Sequence, residues 1–124
     1  MNEHLFPYID ERLASMLVKS KGYEGEPEYP YPSKELIWVV KTLTPVYLPD
    51  YSPTPSVIPD EEWTGIMFVW HKNGYDISLY FNSEFEVHLW WKLRSEDGFG
   101  YELSDADEIK LQLRKLMWWI SNER

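Results

Sequence analysis

Gly65-Ile66-Met67-Phe68-Val69-Trp70-His71-Lys72-Asn73-Gly74-Tyr75-Asp76-Ile77-Ser78-Leu79-Tyr80-Phe81-Asn82-Ser83-Glu84-Phe85-Glu86-Val87-His88-Leu89-Trp90-Trp91-Lys92-Leu93 is the stretch that decides the fold. Three runs in it alternate apolar with polar residues, and Asn73-Gly74 separates the first two. A two-residue type I′ turn needs positive φ at both central positions, which Asn and Gly tolerate, and its twist matches that of the flanking strands. The turn predicts an antiparallel hairpin and fixes its register. Lys72 faces Tyr75, His71 faces Asp76, Trp70 faces Ile77, Val69 faces Ser78, Phe68 faces Leu79, Met67 faces Tyr80 and Ile66 faces Phe81. Successive side chains point to opposite faces of a strand, so Ile66, Phe68, Trp70, Ile77, Leu79 and Phe81 gather on one side. A slip of one residue would scatter them.

A third strand follows if the next turn keeps the apolar residues together. A three-residue loop, Asn82-Ser83-Glu84, sets Phe81 against Phe85, Leu79 against Val87 and Ile77 against Leu89, whereas a two-residue loop would set Phe81 against Glu86. With the first choice the opposite face reads, row by row, His71-Asp76-Trp90, Val69-Ser78-His88 and Met67-Tyr80-Glu86. The expectation is a three-stranded meander over about 65–93, with Phe99 to Leu103 as a short fourth strand.

The remainder of the chain supplies what covers the apolar face. Ile9, Leu13, Met16 and Leu17 recur at helical spacing, with Asp10 and Glu11 early, Lys19 and Lys21 late and Gly22 as a stop, which predicts a helix over about 8–20. Gly22 to Pro32 reads as a Gly/Pro-rich loop with interleaved tyrosines. Ser33 is the N-cap of a second helix, about 34–44, whose stripe is Leu36, Ile37, Val40 and Leu43; Pro45 ends it. Val46 to Glu62 carries Pro49, Pro53, Pro55 and Pro59. Val57-Ile58 could be an edge segment, but the flanking prolines lack the N–H that a central strand donates, so the reading is an extended crossing. Ser104, with Asp107 at capping-box spacing, opens the last helix, about 105–121, with Ala106, Ile109, Leu113, Leu116, Met117 and Ile120 on one face. Helices over the apolar face of an antiparallel sheet make an α+β fold.

The chain of 124 residues suits a single domain, 1–124, whose core needs no disulfide and no metal. It has no cysteine, which removes disulfide scaffolds, thiol nucleophiles and Cys-ligated metal sites and fits a reducing cytoplasm. No apolar run reaches the roughly 18 residues of a membrane span, and no signal-like segment opens the chain. The expected setting is cytoplasmic. Net charge is −9, from 12 Lys and Arg against 21 Asp and Glu, so the summed field repels phosphates, argues against direct nucleic-acid binding and favours a basic protein partner.

Gly22-Tyr23-Glu24-Gly25-Glu26, a Pro-rich spacer ending in Pro32-Ser33, an amphipathic helix, Pro55-Ser56-Val57-Ile58-Pro59, Gly65-Ile66, Val69-Trp70 and Gly74-Tyr75-Asp76-Ile77 follow one another in an order that resembles small uncharacterised bacterial proteins. Their pattern is a Gly-Trp-Asp-Gly-like loop, a Pro-Ser helix start, a Pro-x-Val-x-Pro segment and a Gly-Gly-Ile-x-Leu-Glu-Trp strand. The chain departs from it at Tyr23, Glu24, Thr64 and Val69. The resemblance implies a bacterial or phage origin and the placement of the strand; it brings no activity and no site residue with it.

Reactive side chains converge on the polar face of the sheet alone. His71, Asp76 and His88 offer two imidazoles and a carboxylate to a metal, and Ser78, His88 and Asp76 imitate a nucleophile, its base and an orienting acid. The plainer reading is an exposed His71–Asp76 cross-strand pair beside ordinary polar residues, because parallel Cβ vectors on a sheet rarely aim at one atom and no Gly-rich loop provides oxyanion donors. Asp60, Glu61 and Glu62 read as a solvated charge run. Met67, Val69, Tyr80 and Trp90 share the face with Glu86 and Asp76; either a helix or the Pro-rich crossing covers them, or they form an aromatic patch with an acidic rim that suits Lys and Arg on a partner. On the last helix, Leu111 and Trp118 form a second apolar line and Trp119 lies off both, so the helix is either sandwiched in the core or meets a homodimer or another partner. The expectation is a non-enzymatic acidic binding or inhibitor protein of the immunity, antitoxin or anti-defence type, without cofactor. A small metal-dependent enzyme using His71, Asp76 and His88, or a structural dimerisation module, is the alternative.

Overall fold

The computed structural model describes residues 2–20, 32–60, 65–95 and 100–122. Within them the order is α1 (Leu5–Ser20), α2 (Lys34–Tyr47), β1 (Ser56–Asp60), β2 (Gly65–Lys72), β3 (Tyr75–Phe81), β4 (Val87–Leu93), β5 (Tyr101–Leu103) and α3 (Ala106–Asn122). The strands form one antiparallel sheet in the order β1-β2-β3-β4-β5. The loop expected from Gly22 and the acidic residues Glu61 and Glu62 fall outside the described residues.

The β2–β3 hairpin has the expected register, from Lys72 opposite Tyr75 to Ile66 opposite Phe81. Asn73 and Gly74 both have positive φ, 51° and 81°, the values a type I′ turn demands. Asn73 also ties the turn to the end of α3, because its amide Nδ2 donates to the Ile120 carbonyl at 2.7 Å.

The next turn differs from the expected one. Its loop has three residues, but they are Ser83, Glu84 and Phe85, one place further on, so Phe81 opposes Val87, Leu79 opposes Leu89 and Ile77 opposes Trp91. The reason is the side chain of Asn82. Its Oδ1 accepts from the backbone N–H groups of Glu84 and Glu86, both at 2.9 Å, while the Asn82 N–H donates to the Glu86 carbonyl at 3.0 Å. The turn closes with Phe85 at φ 66°, a left-handed position that a three-residue hairpin loop places last, and the Phe85 side chain lies exposed outside the ladder.

Three further expectations are corrected. The sheet has five strands rather than three or four, because Ser56–Asp60 pairs with β2 and places Val57, 1 % exposed, opposite Phe68. As the outermost strand β1 pairs on one side only, the condition under which Pro59 is tolerated. Helix α2 runs past Pro45 to Tyr47; the missing N–H falls in the last turn at an exposed position, where the cost is small, and the Leu48 N–H closes the helix on the Thr44 carbonyl at 2.9 Å. Asp105 rather than Ser104 caps α3, its Oδ2 accepting from the Glu108 N–H at 3.0 Å and its carbonyl from the Ile109 N–H at 2.9 Å.

All three helices lie on the apolar side of the sheet. Ile9, Leu13 and Met16 of α1, Leu36, Ile37 and Val40 of α2, and Ile109, Leu113, Leu116, Met117 and Ile120 of α3 form one cluster with Ile66, Phe68, Trp70, Ile77, Leu79, Phe81 and Leu89. Full burial of a side chain of this size contributes about 1.5–3 kcal/mol, so this cluster dominates stability. Phe81 lies at its centre, edge-on to Tyr47 of α2 at 6.1 Å and to Phe68 at 5.7 Å.

The turn after β3 is expected to respond to two substitutions with opposite sign. Asn82→Ala removes the acceptor of two backbone N–H groups and lowers stability by about 1–2 kcal/mol; Phe85→Gly removes a Cβ from a left-handed position and raises it by about 0.5–1 kcal/mol. Urea midpoints of the two variants measured beside the parent check this, and shifts in the same direction would contradict the turn described.

Candidate partner-binding face

The face of the sheet away from the helices is built in three rows. Ile58, Met67, Tyr80 and His88 form one; Ser56, Val69, Ser78, Trp90 and Glu102 the next; His71, Asp76 and Lys92 the third. The β3–β4 shift is two residues, which preserves pleat parity, so Met67, Tyr80 and Trp90 stand on the expected face, with Glu86 in the loop at the row's end. The neighbours have changed. Trp90 lies opposite Ser78 and not Asp76, and His88 lies opposite Tyr80 and not Ser78.

Apolar surface is concentrated in the middle of this face. Ile58 is 41 % exposed and Trp90 37 % exposed, with Met67, Val69 and Tyr80 half-buried between them. Two glycines set the large rings. A Cβ on Gly65 would lie 2.7 Å from Cε2 of Tyr80 and 2.5 Å from the Phe81 carbonyl oxygen, and one on Gly100 would lie 2.5 Å from Nε1 of Trp90. The Tyr80 and Trp90 rings therefore lie close over bare backbone. Tyr80 also stacks on His88, centroids 6.3 Å apart.

Charge is segregated along the strands. At the Asn73-Gly74 end stand His71, Asp76, Lys92 and Arg94; at the other end Glu84 and Glu86 flank a recess of about 270 Å³ lined by Tyr80, Asn82, Ser83 and Glu84. Glu102, exposed and opposite Trp90, adds a carboxylate at the β5 edge of the middle row. Asp76 does not contribute to that rim. Its Oδ1 accepts from Nε of Arg94 at 2.9 Å and lies 2.6 Å from Nδ1 of His71, and since a carboxylate only accepts, that imidazole nitrogen carries the proton. These hydrogen bonds, His71 first and Arg94 second, with the charges of both, hold the Asp76 carboxyl below the usual range against a small opposing effect of burial.

His71, Asp76 and His88 are not brought to one point. His88 lies in a different row from Asp76, with its Nδ1 3.1 Å from Oγ of Ser104, and among the described residues no group of three or more His, Cys, Asp and Glu is arranged to hold a metal ion. Ser78 faces Trp90 and Val69, with His71 and His88 only diagonal to it, and His88 Nδ1 is engaged with Ser104 Oγ instead, so the expected nucleophile–base pairing is not formed either. On α3, Leu111 and Trp118 are exposed. Trp119 is accounted for within the chain by stacking on Tyr75, centroids 6.3 Å apart and planes 23° from parallel. Ser56, Ile58, Lys92 and Glu102 are the members of the sheet face that sequence reasoning missed. The alternation Ser56-Val57-Ile58 was the signal for Ile58, masked by the prolines around it.

No family model, no curated protein and no solved structure matches this chain. No helix among the described residues is long and apolar enough to cross a membrane. The chemistry of the open face is therefore the guide to function.

The Asp76 pairings carry a pH dependence of known sign. A folded-state pKa below the unfolded value, about 3.9 for Asp, means that the unfolded chain binds the proton more readily and that stability rises with pH across the interval between the two. The melting temperatures of the parent and Asp76→Asn are expected to differ above about pH 4 and to converge as pH falls through the lowered folded-state value. A difference that is constant across that range would contradict the assignment.

Proposed function

We propose that this protein is a non-enzymatic acidic binding protein, of the immunity, antitoxin or anti-defence kind, that occupies a basic protein partner with the acidic end of its open sheet face. The reading rests chiefly on one observation: a sheet face that no described helix covers keeps Trp90 and Ile58 at the surface, with Met67 and Val69 between them, and Glu86, Glu84 and Glu102 at its margin. An exposed aromatic over a desolvated apolar patch is the kind of anchor that dominates protein–protein affinity, and carboxylates at the rim speed encounter with a Lys- and Arg-bearing surface. A net charge of −9 adds long-range attraction of the same sign. Asp76 is replaced in this scheme by Glu102, because its carboxylate is already committed to Arg94 and His71.

Capture from a native host lysate tests the proposal, with the immobilised parent compared with Trp90→Ala and with Glu86→Lys/Glu102→Lys. The parent is expected to hold one basic protein that salt releases, and Trp90→Ala to weaken that complex by about 2 kcal/mol, roughly thirtyfold. Trp38→Ala serves as the control, since Trp38 is 67 % exposed on α2, on the opposite layer. Retention that is equal in the parent and both face variants, or lost with Trp38→Ala, would overturn the assignment.

A further inference from the structure

Helix α3 presents a second surface whose charge order is specific. Its buried residues Ile109, Leu113, Leu116, Met117 and Ile120 face the sheet, and on the opposite side Leu111 is 67 % exposed and Trp118 55 % exposed. The exposed charges beside this line are sorted along the helix. Asp107 and Glu108 precede Leu111; Arg114 and Lys115 follow it. No carboxylate stands three or four positions from either base, where a helix forms its own ion pairs. Among the described residues neither Arg114 nor Lys115 has a carboxylate within ion-pair distance.

The sequence of two acids, a leucine and two bases is self-complementary about Leu111. At 3.6 residues per turn, Glu108 and Lys115 lie on one flank of the Leu111–Trp118 line, and Asp107 and Arg114 lie on the other. Laying a second α3 antiparallel on the first, with the two-fold axis beside Leu111, brings Leu111 against the partner's Leu111. The same operation sets Lys115 beside the partner's Glu108, Arg114 beside the partner's Asp107 and Trp118 over the partner's Ser104. By symmetry every pair occurs twice, the hallmark of an isologous contact. A parallel arrangement at the same height would oppose like charges, acids to acids and bases to bases, and is disfavoured. Beside Leu111, the groove of about 320 Å³ bounded by Tyr51, Arg114, Lys115, Trp118 and Trp119 leaves room for side chains of the second copy. We infer that this protein pairs with a second copy of itself through antiparallel α3 helices centred on Leu111. The contact lies on the layer opposite the open sheet face, so it is independent of the proposed function and leaves that face available in both copies.

Sedimentation velocity of the full chain over a concentration series tests the pairing, with the parent, Lys115→Glu, Glu108→Lys and the double exchange Glu108→Lys/Lys115→Glu. All these positions are exposed, and melting curves verify that each variant is folded. The parent is expected to pass from monomer to dimer with rising concentration and to dissociate more readily as salt is raised. Each single variant places like charges together and is expected to weaken association by roughly tenfold or more; the double exchange is expected to restore it. A parent that stays monomeric throughout, single variants that associate as the parent does, or a double exchange that fails to recover would each overturn the inference.

Discussion

The pleat of β2 and β3 leaves each side chain one of two directions, and six large apolar residues have taken the same one. Ile66, Phe68, Trp70, Ile77, Leu79 and Phe81 are all at most 3 % exposed, and every helix packs against the surface they make. A slip of one residue would turn that whole set to solvent, so the hairpin register is fixed by burial as well as by the Asn73-Gly74 turn. The remaining structure follows from this choice. Once one face is committed to the helices, whatever the alternate positions carry stands on the other, and there the chain has placed Met67, Val69, Tyr80 and Trp90 instead of a uniformly polar set.

The open face shows how small features of backbone govern a surface. Gly65 and Gly100 let the Tyr80 and Trp90 rings lie close over the backbone, where any Cβ would displace them. The Asp76 carboxylate, which by position alone could serve a partner, is held by its own neighbours Arg94 and His71. The acidic margin consequently moves to Glu84 and Glu86, at the end of the sheet remote from the Asn73-Gly74 turn, and to Glu102 on the β5 edge of the middle row. Glu84 and Glu86 thus stand at the opposite end of the sheet from His71, Asp76 and Lys92, while Glu102 and the apolar centre lie in the rows between.

Much of this was legible in the sequence, because alternation and turn chemistry are local signals. The β2–β3 register, the face membership of those two strands and the three helices could all be read from residue spacing. What escaped was decided by interactions with no local signature. Phe85 occupies a left-handed position that ordinarily signals itself through Gly or Asn, and the Asn82 side chain that organises this turn reads equally well as a member of the loop. The resulting shift of two residues preserved the pleat parity of β4 but took Phe85 out of the apolar face and broke the proposed grouping of His71, Asp76 and His88. Pro59 masked β1 because proline argues against a central strand and says nothing against an outer one. The separate fates of Trp118 and Trp119 depend on Tyr75, which is more than 40 residues away in sequence.

Carboxylate footprinting of the complex formed with the captured basic protein tests the central claim most directly. Carbodiimide labelling is read by mass spectrometry at Glu84, Glu86 and Glu102 on the sheet face and at Asp10, Glu11 and Glu35 on the helix layer, all exposed in the free protein. If the open face holds the partner, labelling at Glu86 and Glu102 falls on binding while that at Asp10, Glu11 and Glu35 stays at the level of the free protein. Protection confined to the helix layer, with Glu86 and Glu102 labelled as before, would contradict the account.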